Sequence, residues 1–164
     1  MVYDLNGVGL VTGAASGIGK ATAFGLAEEG CARLVLADIN SSGVELVSSE
    51  LKSLYPSAQV LCIQVDTSKQ TDVQRMVDEA VKTFGAVHYA VNCAGITSNP
   101  RVVTHELPVE AWDRVLDVNL RGVWLCQKAV ITQMLRQPAE LGIKSVVTFL
   151  ILRKLDDMRG ALLP

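Results

Sequence analysis

Five short runs of apolar residues, set between longer amphipathic segments, constrain the fold of this chain more than any other feature of its sequence. The runs are apolar throughout, and they cover residues 7–12, 33–38, 58–65, 87–92 and 144–152. Strands that are covered on both faces have this pattern, whereas strands with one face in water alternate apolar and polar residues. The runs therefore predict strands one to five of a buried parallel sheet.

Two of the segments between the runs carry the periodicity of a helix. Between residues 69 and 84, apolar side chains recur every three or four positions, and Ser68 precedes them as the predicted N-cap residue. Residues 41–54 carry a weaker stripe of the same period. Strand, helix and strand thus alternate at a spacing of about 30 residues, which is typical of βαβ units with right-handed crossovers.

The longest amphipathic segment, residues 108–136, predicts one helix in which Pro108 suits the first turn. Its stripe is formed by Trp112, Leu116, Asn119, Val123, Cys126, Val130 and Met134. Asn119 is the polar member of this stripe, and an unpaired buried amide costs about 1–3 kcal/mol. We therefore expect Asn119 to have hydrogen-bond partners, either within the protein or through an ordered water.

A glycine-rich stretch, GAASGIGKA at residues 13–21, follows the first apolar run. A strand, a glycine turn and a helix present backbone N–H groups to an anion, so the stretch predicts a phosphate site. A loop of the nucleoside-triphosphatase type would need glycine at position 14 and serine or threonine at position 21, and both residues are alanine. That interpretation is disfavoured, and Lys20 is interpreted as a solvated side chain of the first helical turn.

The glycine spacing fits a dinucleotide loop better. Gly13, Gly17 and Gly19 give the pattern G-x-x-x-G-x-G, which differs from the usual G-x-G-x-x-G but can serve the same purposes. One glycine makes the turn, one lets the backbone approach a pyrophosphate, and one lets the helix pack on the sheet. The stretch therefore predicts binding of a dinucleotide.

An acidic residue at the end of the second run supports this interpretation. Asp38 follows Gly19 by 19 residues, where a carboxylate binds the ribose hydroxyls of a dinucleotide. The same carboxylate would repel the 2′-phosphate of NADP, and the flanking Ser16 and Ile39 are uncharged. The sequence therefore favours NAD over NADP.

Composition makes several other partners unexpected. The net charge is −2 and basic residues form no block, so neither nucleic acid nor an anionic membrane is expected to bind. No apolar run approaches the roughly 18–20 residues of a membrane span, and the first residues lack the basic region of a signal peptide. The four cysteines are Cys31, Cys62, Cys93 and Cys126. Their wide spacing predicts reduced thiols, no metal site and a cytoplasmic protein.

Three ordered motifs resemble the short-chain dehydrogenase/reductase family. They are TGAASGIGKA at 12–21, VNCAG at 91–95 and LDVNLRG at 116–122, and the resemblance covers roughly residues 7–136. Cys93 stands where the family has a second asparagine. The resemblance implies an α/β fold with a Rossmann-like, doubly wound parallel sheet that carries NAD(P) at the carboxyl ends of its strands. It also implies hydride transfer between the nicotinamide cofactor and an alcohol or carbonyl substrate.

The resemblance further implies roles for individual residues. The glycine loop would hold the pyrophosphate, through Gly13, Ser16, Gly17, Ile18 and Gly19. Asp38 would bind the adenosine ribose, and Asp66 and Thr67 would line the adenine. The nicotinamide-side ribose would face Asn92, Ala94 and Gly95, and Asn119 would take part in the proton relay.

The residues alone leave blander interpretations of these positions open. Asp66 is also typical of a turn before a helix, and residues 92–95 of an ordinary turn at the end of a strand. Without the resemblance, Asn119 is better interpreted as a core asparagine whose hydrogen bonds are satisfied.

The acid–base residues of the family are absent from this sequence. The family needs a serine and a Tyr-x-x-x-Lys pair, yet Tyr3, Tyr55 and Tyr89 have no lysine four residues later. The sequence leaves the family pattern near Thr148, so we expect an incomplete dinucleotide-binding domain over residues 1–150 and a divergent tail over 151–164. The last two strands would be missing, and the chain would be inactive alone, as a truncated product or as a genuine short nucleotide-binding protein.

Two further interpretations belong to other classes of function. The chain could be a non-catalytic protein that pairs with itself or with a full-length relative through residues 108–136, a helix that helps to build the dimer in the family. A methyltransferase could also carry such a glycine loop and acidic strand end. The ordered NCAG and DVNLRG motifs disfavour the methyltransferase.

Overall fold

Strands alternate with helices along the chain, as the apolar runs predict. The computed structural model describes residues 5–98 and 102–138. The strands are β1 (Val8–Thr12), β2 (Arg33–Asp38), β3 (Gln59–Gln64) and β4 (Tyr89–Asn92). The α-helices are α1 (Gly17–Glu28), α2 (Ser41–Leu54), α3 (Gln70–Phe84), α4 (Val109–Leu116) and α5 (Val123–Arg136), with a 3₁₀ turn at Thr104–Glu106. The predicted fifth strand and the tail lie outside the described residues.

The strands form a parallel sheet in the order β3-β2-β1-β4. Leu10 of β1 pairs with Val35 of β2 on one side and with Ala90 of β4 on the other. The chain therefore moves outward from β1 in one direction through β2 and β3, then returns to the other side of β1 for β4. The loops that follow β1 and β4 meet at this switch point, where doubly wound sheets bind their ligands.

Helices cover both faces of the sheet, which explains why its strands are apolar throughout. Val35 and Leu10 belong to a core cluster with α3 and α5, whereas Leu36 and Val11 belong to a second cluster with α1 and α2. Successive residues of a strand point to opposite faces, so both faces of β1 and β2 need apolar side chains. The predicted α/β class with a doubly wound parallel sheet is confirmed.

The predicted N-cap of α3 is wrong by one residue. Lys69 is the N-cap residue and its side chain makes no capping hydrogen bond. Ser68 instead donates from its hydroxyl to Oδ1 of Asp66 at 2.6 Å, and its backbone N–H donates to the same oxygen at 3.1 Å. These two hydrogen bonds to the Asp66 carboxylate place Ser68 in the turn before the helix.

The predicted helix at 108–136 is interrupted by a π turn at Asp117–Gly122. Val123, Cys126 and Val130 after this turn are buried as predicted, but Trp112 before it is 52% exposed. A π turn adds a residue to the helix and rotates the side chains that precede it relative to those that follow. The stripe therefore does not continue into α4, in which no residue is buried.

A histidine lies at the amino end of β4, at the end of the sheet away from the switch point. His88 accepts the backbone N–H of Val8 at Nδ1, at 2.9 Å, so this nitrogen is unprotonated in the folded state. Burial, and secondarily the positive charge of Arg33, lower the pKa of His88 below its ordinary value of 6.5. The imidazole thus supplies an acceptor to a strand end that lies away from the switch point.

Candidate functional site

The loop after β1 is pressed against the loop after β4. Gly13 has a φ of 69°, a conformation that favours glycine. A Cβ built on Gly13 would lie 2.6 Å from the backbone nitrogen of Ala94 and 2.7 Å from the carbonyl oxygen of Cys93. A side chain at Gly13 would therefore separate the two loops at the switch point.

Gly19 and Gly17 differ in what surrounds them. A Cβ on Gly19 would collide with the carbonyl group of Gly13, so this glycine lets α1 pack against the loop. Gly17 has a φ of 53°, and no atom lies within 4 Å of a Cβ built there. Gly17 therefore keeps open space at the start of α1.

The start of α1 has backbone donors without a side-chain cap. The first N–H groups of an α-helix have no partner within the helix. Ser16 is the N-cap residue, but its side chain makes no capping hydrogen bond, and the first turn has no acidic residue. Ser16, Gly17 and Ile18 are exposed. This end of the helix can therefore accept an anionic group.

Asp38 joins the glycine loop to the end of β2. Its Oδ2 accepts the N–H of Ala15 at 3.0 Å and its Oδ1 accepts the N–H of Asn40 at 2.9 Å. An ionised carboxylate has about four acceptor positions, so both oxygens can accept further donors. Asp38 is half-buried, and the neighbouring Ile39 is 64% exposed. The carboxylate therefore lies beside the loop, as the sequence pattern predicts.

The loop after β3 is organised by its own acidic residue. Asp66 accepts two hydrogen bonds from Ser68, and Lys69 Nζ lies 3.4 Å from its Oδ2. The hydrogen bond from the Ser68 side chain is the largest cause that lowers the pKa of Asp66 below its ordinary value. Asp66 thus makes the turn expected from its residue type, and Thr67 beside it is buried.

The end of β4 carries a buried amide with one unsatisfied atom. Asn92 is 2% exposed, and its Oδ1 has no hydrogen-bond partner in the part of the chain that the structure describes. Most buried side-chain polar atoms in native proteins have a partner, so this oxygen is an unused acceptor at the carboxyl end of β4. Ala94 donates its N–H to Thr12 Oγ1 at 3.3 Å, while Gly95 is exposed.

Asn119, in the π turn, has hydrogen-bond partners, as the sequence predicts, and the structure identifies them. Its Oδ1 accepts the N–H of Ile96 at 2.8 Å and its Nδ2 donates to the carbonyl oxygen of Ile96 at 2.9 Å. The amide therefore binds both backbone groups of one residue in the loop after β4. The described contacts of Asn119 are structural, and its part in a proton relay stays a prediction.

Sequence reasoning missed two residues of the same turn. Arg121 donates from Nη1 to the carbonyl oxygen of Ser68 at 2.7 Å. A Cβ on Gly122 would lie 3.0 Å from the carbonyl oxygen of Thr67, so this helix position closely approaches the loop after β3. Both residues stand in the LDVNLRG motif, which was the available signal, but the motif alone does not identify their backbone partners.

The predicted site residues are thus brought to one edge of the sheet. The glycine loop, Asp38, the Asp66 turn and the loop at Asn92–Gly95 all follow the carboxyl ends of strands. Lys20 is not part of this group. Its ammonium pairs with Glu50 at 2.6 Å, and both side chains are exposed, as expected for a solvated lysine of the first helical turn.

None of the four cysteines has the features of a reactive thiol. Cys31 and Cys126 are buried, Cys62 and Cys93 are half-buried, and all four are free. Burial raises the pKa of each thiol, that of Cys126 to about 12, so none is poised as a thiolate near neutral pH. The described residues include no cluster of three or more metal-ligating side chains, and none of their helices has the length and apolarity needed to span a membrane.

Comparison with known proteins finds relatives of one kind. The model of a family described as short chain dehydrogenase matches residues 8–142. Chanoclavine-I dehydrogenase from Aspergillus fumigatus is 35% identical over 134 residues, which are 79% of this chain and 51% of that protein. Cyclohexanol dehydrogenase from an Acinetobacter species is 42% identical over 119 residues, which are 73% of this chain and 46% of that protein.

Solved structures share the fold. The crystal structure of 3-ketoacyl-(acyl-carrier-protein) reductase from Brucella melitensis complexed with NADH matches with a TM-score of 0.76 and 32% identity. The match covers 87% of this chain and 56% of that one. The chain spans about half the length of the curated relatives it matches.

Proposed function

Since the chain belongs to the short-chain dehydrogenase family, we propose that it carries the cofactor-binding half of an oxidoreductase. That enzyme would transfer hydride between NAD and an alcohol or carbonyl substrate. The observation that carries the proposal is the start of α1, where Gly17 leaves open space in front of uncapped backbone donors. Asp38 lies beside this space, as a dinucleotide site requires.

The pyrophosphate would bind at the start of α1. Ser16, Gly17 and Ile18 are exposed there, and the helix dipole favours a negative group. Gly13 and Gly19 would act indirectly, because their missing side chains allow the loop to pack against β4 and α1.

Asp38 would bind the adenosine ribose and select NAD. Its two oxygens are already held by backbone N–H groups, which fix the carboxylate beside the loop. Ribose hydroxyls can donate to the remaining acceptor positions, whereas the 2′-phosphate of NADP would meet a like charge. No lysine or arginine among the described residues pairs with Asp38 to offset that repulsion.

The two remaining loops would contact the ends of the cofactor. Asp66 and Thr67 would line the adenine, and Asn92, Ala94 and Gly95 would face the ribose next to the nicotinamide. This assignment is supported by their common position at the carboxyl edge of the sheet and by the NADH-bound relative with 32% identity. The unsatisfied Oδ1 of Asn92 is consistent with a further donor at that end.

The chain would bind its cofactor weakly and turn over little. Asn119 would take part in the proton relay while its side chain holds the loop at Ile96. The given sequence has neither the Tyr-x-x-x-Lys pair nor the matching serine, the groups that exchange the proton in the family as hydride moves, so we expect little turnover from this chain alone. We propose that residues 1–150 form an incomplete dinucleotide-binding domain and that residues 151–164 form a divergent tail. We also propose that the protein is cytoplasmic.

A second candidate function is pairing with another chain of the family. The segment 109–136 exposes Trp112, Leu120, Trp124 and Leu135, at 52%, 62%, 53% and 82% respectively. Large apolar side chains grouped on one helical segment are typical of an interaction surface. Sedimentation of the chain alone and with a full-length relative distinguishes this function: we expect an oligomer, and a monomer in both samples would contradict pairing.

Thermal unfolding of residues 1–164 tests cofactor binding. A ligand that binds only the folded state at 100 times its Kd stabilises it by about 2.7 kcal/mol, so NAD should raise the midpoint more than NADP. Asp38→Asn should narrow the difference between the two cofactors. Asp113→Asn, at an exposed position of α4, is the matched control and should leave the difference unchanged. If neither cofactor raises the midpoint, the proposed function is wrong.

A further inference from the structure

The π turn touches both loops assigned to the two ends of the cofactor. Asn119 binds Ile96 in the loop after β4, and two residues later Arg121 binds Ser68 in the loop after β3. Gly122 approaches Thr67 so closely that a Cβ would lie 3.0 Å from its carbonyl oxygen. One helical turn therefore contacts the loop after β4 through Asn119 and the loop after β3 through Arg121 and Gly122.

The loop after β3 has two kinds of support. Asp66 and Ser68 form an internal turn, and the Asp66 N–H donates to Oδ2 of Asp72 in the adjoining helix α3. These contacts are local in sequence. The hydrogen bond from Arg121 spans 53 residues and joins the loop to the opposite helical segment.

We propose that Arg121 is a positioning residue that holds the loop at Asp66–Lys69 in place to receive the adenine of the cofactor. The inference rests on the proposed function, because it assigns that loop to the adenine. The donor is a guanidinium, so its hydrogen bond to the Ser68 carbonyl is charge-assisted and stronger than a neutral one. Without this hydrogen bond, the loop keeps its internal turn but loses the side-chain hydrogen bond that joins it to the π turn.

Arg121→Met tests the proposal, because methionine keeps a long apolar chain but cannot donate a hydrogen bond. AMP and nicotinamide mononucleotide serve as probes of the two cofactor halves, measured by calorimetry on the full chain. We expect the Kd for AMP to rise about fivefold, which corresponds to about 1 kcal/mol, and the Kd for nicotinamide mononucleotide to stay unchanged. Arg121→Lys should restore part of the affinity for AMP.

Arg114→Met is the matched control, since Arg114 is an exposed arginine of α4 that stands before the π turn. It should change neither affinity. Hydrogen exchange without ligand provides a second readout: in Arg121→Met the amides of residues 66–69 should exchange faster, while those of β1 and β2 should not.

The outcomes separate this inference from the proposed function. Unchanged exchange at residues 66–69 in Arg121→Met would overturn the positioning role, whether or not the chain binds a nucleotide. Faster exchange with unchanged AMP affinity would overturn the link to adenine. If the unaltered chain binds neither AMP nor NAD, the proposed function fails, and the adenine assignment fails with it.

Discussion

Three glycines of helix α1 should respond differently to the same substitution, alanine. Gly19 packs against the carbonyl group of Gly13, Gly17 has a φ of 53° beside open space, and Gly25 has neither constraint. In each case the change adds one methyl group to the same helix. The three variants therefore separate a steric contact, a backbone conformation and intrinsic helix propensity.

The magnitudes follow from these environments. Gly25→Ala should stabilise the fold by about 0.5–1 kcal/mol, because alanine loses less backbone entropy in a helix. Gly17→Ala should cost about 1–2 kcal/mol, the strain of a left-handed conformation for a residue with a Cβ. Gly19→Ala should cost about 1–3 kcal/mol, because its methyl group meets backbone atoms that cannot rotate away.

Thermal unfolding without ligand measures these differences. For a domain of this size each 1 kcal/mol shifts the Tm by about 2–4 °C, so Gly25→Ala should melt above the unaltered chain and the other two below it. Repeating the measurement with NAD adds a second test. Gly17→Ala should lose most of its NAD-dependent rise in Tm, because its methyl group occupies the open space, while Gly25→Ala should keep the rise.

Gly19→Ala gives the result that would refute this reasoning. If Gly19→Ala were as stable as Gly25→Ala, the close approach between α1 and Gly13 would not constrain the protein, and the geometry assigned to the loop would be wrong. An unchanged NAD response in Gly17→Ala would likewise contradict the position proposed for the pyrophosphate.

Two other predictions concern single hydrogen-bonding side chains. Because His88 must be neutral at Nδ1 to accept the N–H of Val8, and its folded pKa lies below 6.5, the unfolded chain takes up the proton first as the pH falls. The free energy of unfolding should therefore be highest above pH 6.5 and decrease below it. Denaturant titrations at several pH values should show a smaller decrease for His88→Gln than for the unaltered chain, and no such difference for His105→Gln. If the free energy of unfolding falls with pH equally in all three proteins, the assignment is wrong. Asn119→Asp keeps an acceptor for the N–H of Ile96 but places a carboxylate oxygen against its carbonyl group, so it should lower stability by about 1–2 kcal/mol and more than Asn119→Ser. Denaturant unfolding measures both Asn119 variants, and equal stabilities would show that the contact with the carbonyl group contributes little.

Elements whose cause is local could be predicted from the sequence. The runs around Val35 and Ala90 are apolar because both faces of their strands are covered, and this cause acts on every residue of the run. The stripe of α3 is predictable because one face of the helix packs on the sheet, so its apolar residues recur every three or four positions. The glycine loop and Asp38 could be related because parallel strands place their carboxyl ends at one edge.

Features that depend on competition between neighbours could not be predicted in this way. Ser68 has the side chain of an N-cap residue, but two hydrogen bonds to the Asp66 carboxylate hold it in the turn before the helix. Trp112 fits the period of its helix, but the period is broken by a π turn that the residue types do not announce. The backbone partners of Asn119 and Arg121 lie 23 and 53 residues away, so only the folded chain identifies them.

The strand order also has a consequence for the order in which the two sides of the switch point form during folding. The contact between Ala15 and Asp38 closes 23 residues, whereas the one between Val8 and His88 closes 80, a difference of about 1 kcal/mol in loop-closure entropy. We therefore expect β1 and β2 to associate before β4 joins them during refolding. Until β4 joins, the switch point lacks the loop that follows β4. Cofactor binding should therefore be acquired late in folding and lost early in unfolding.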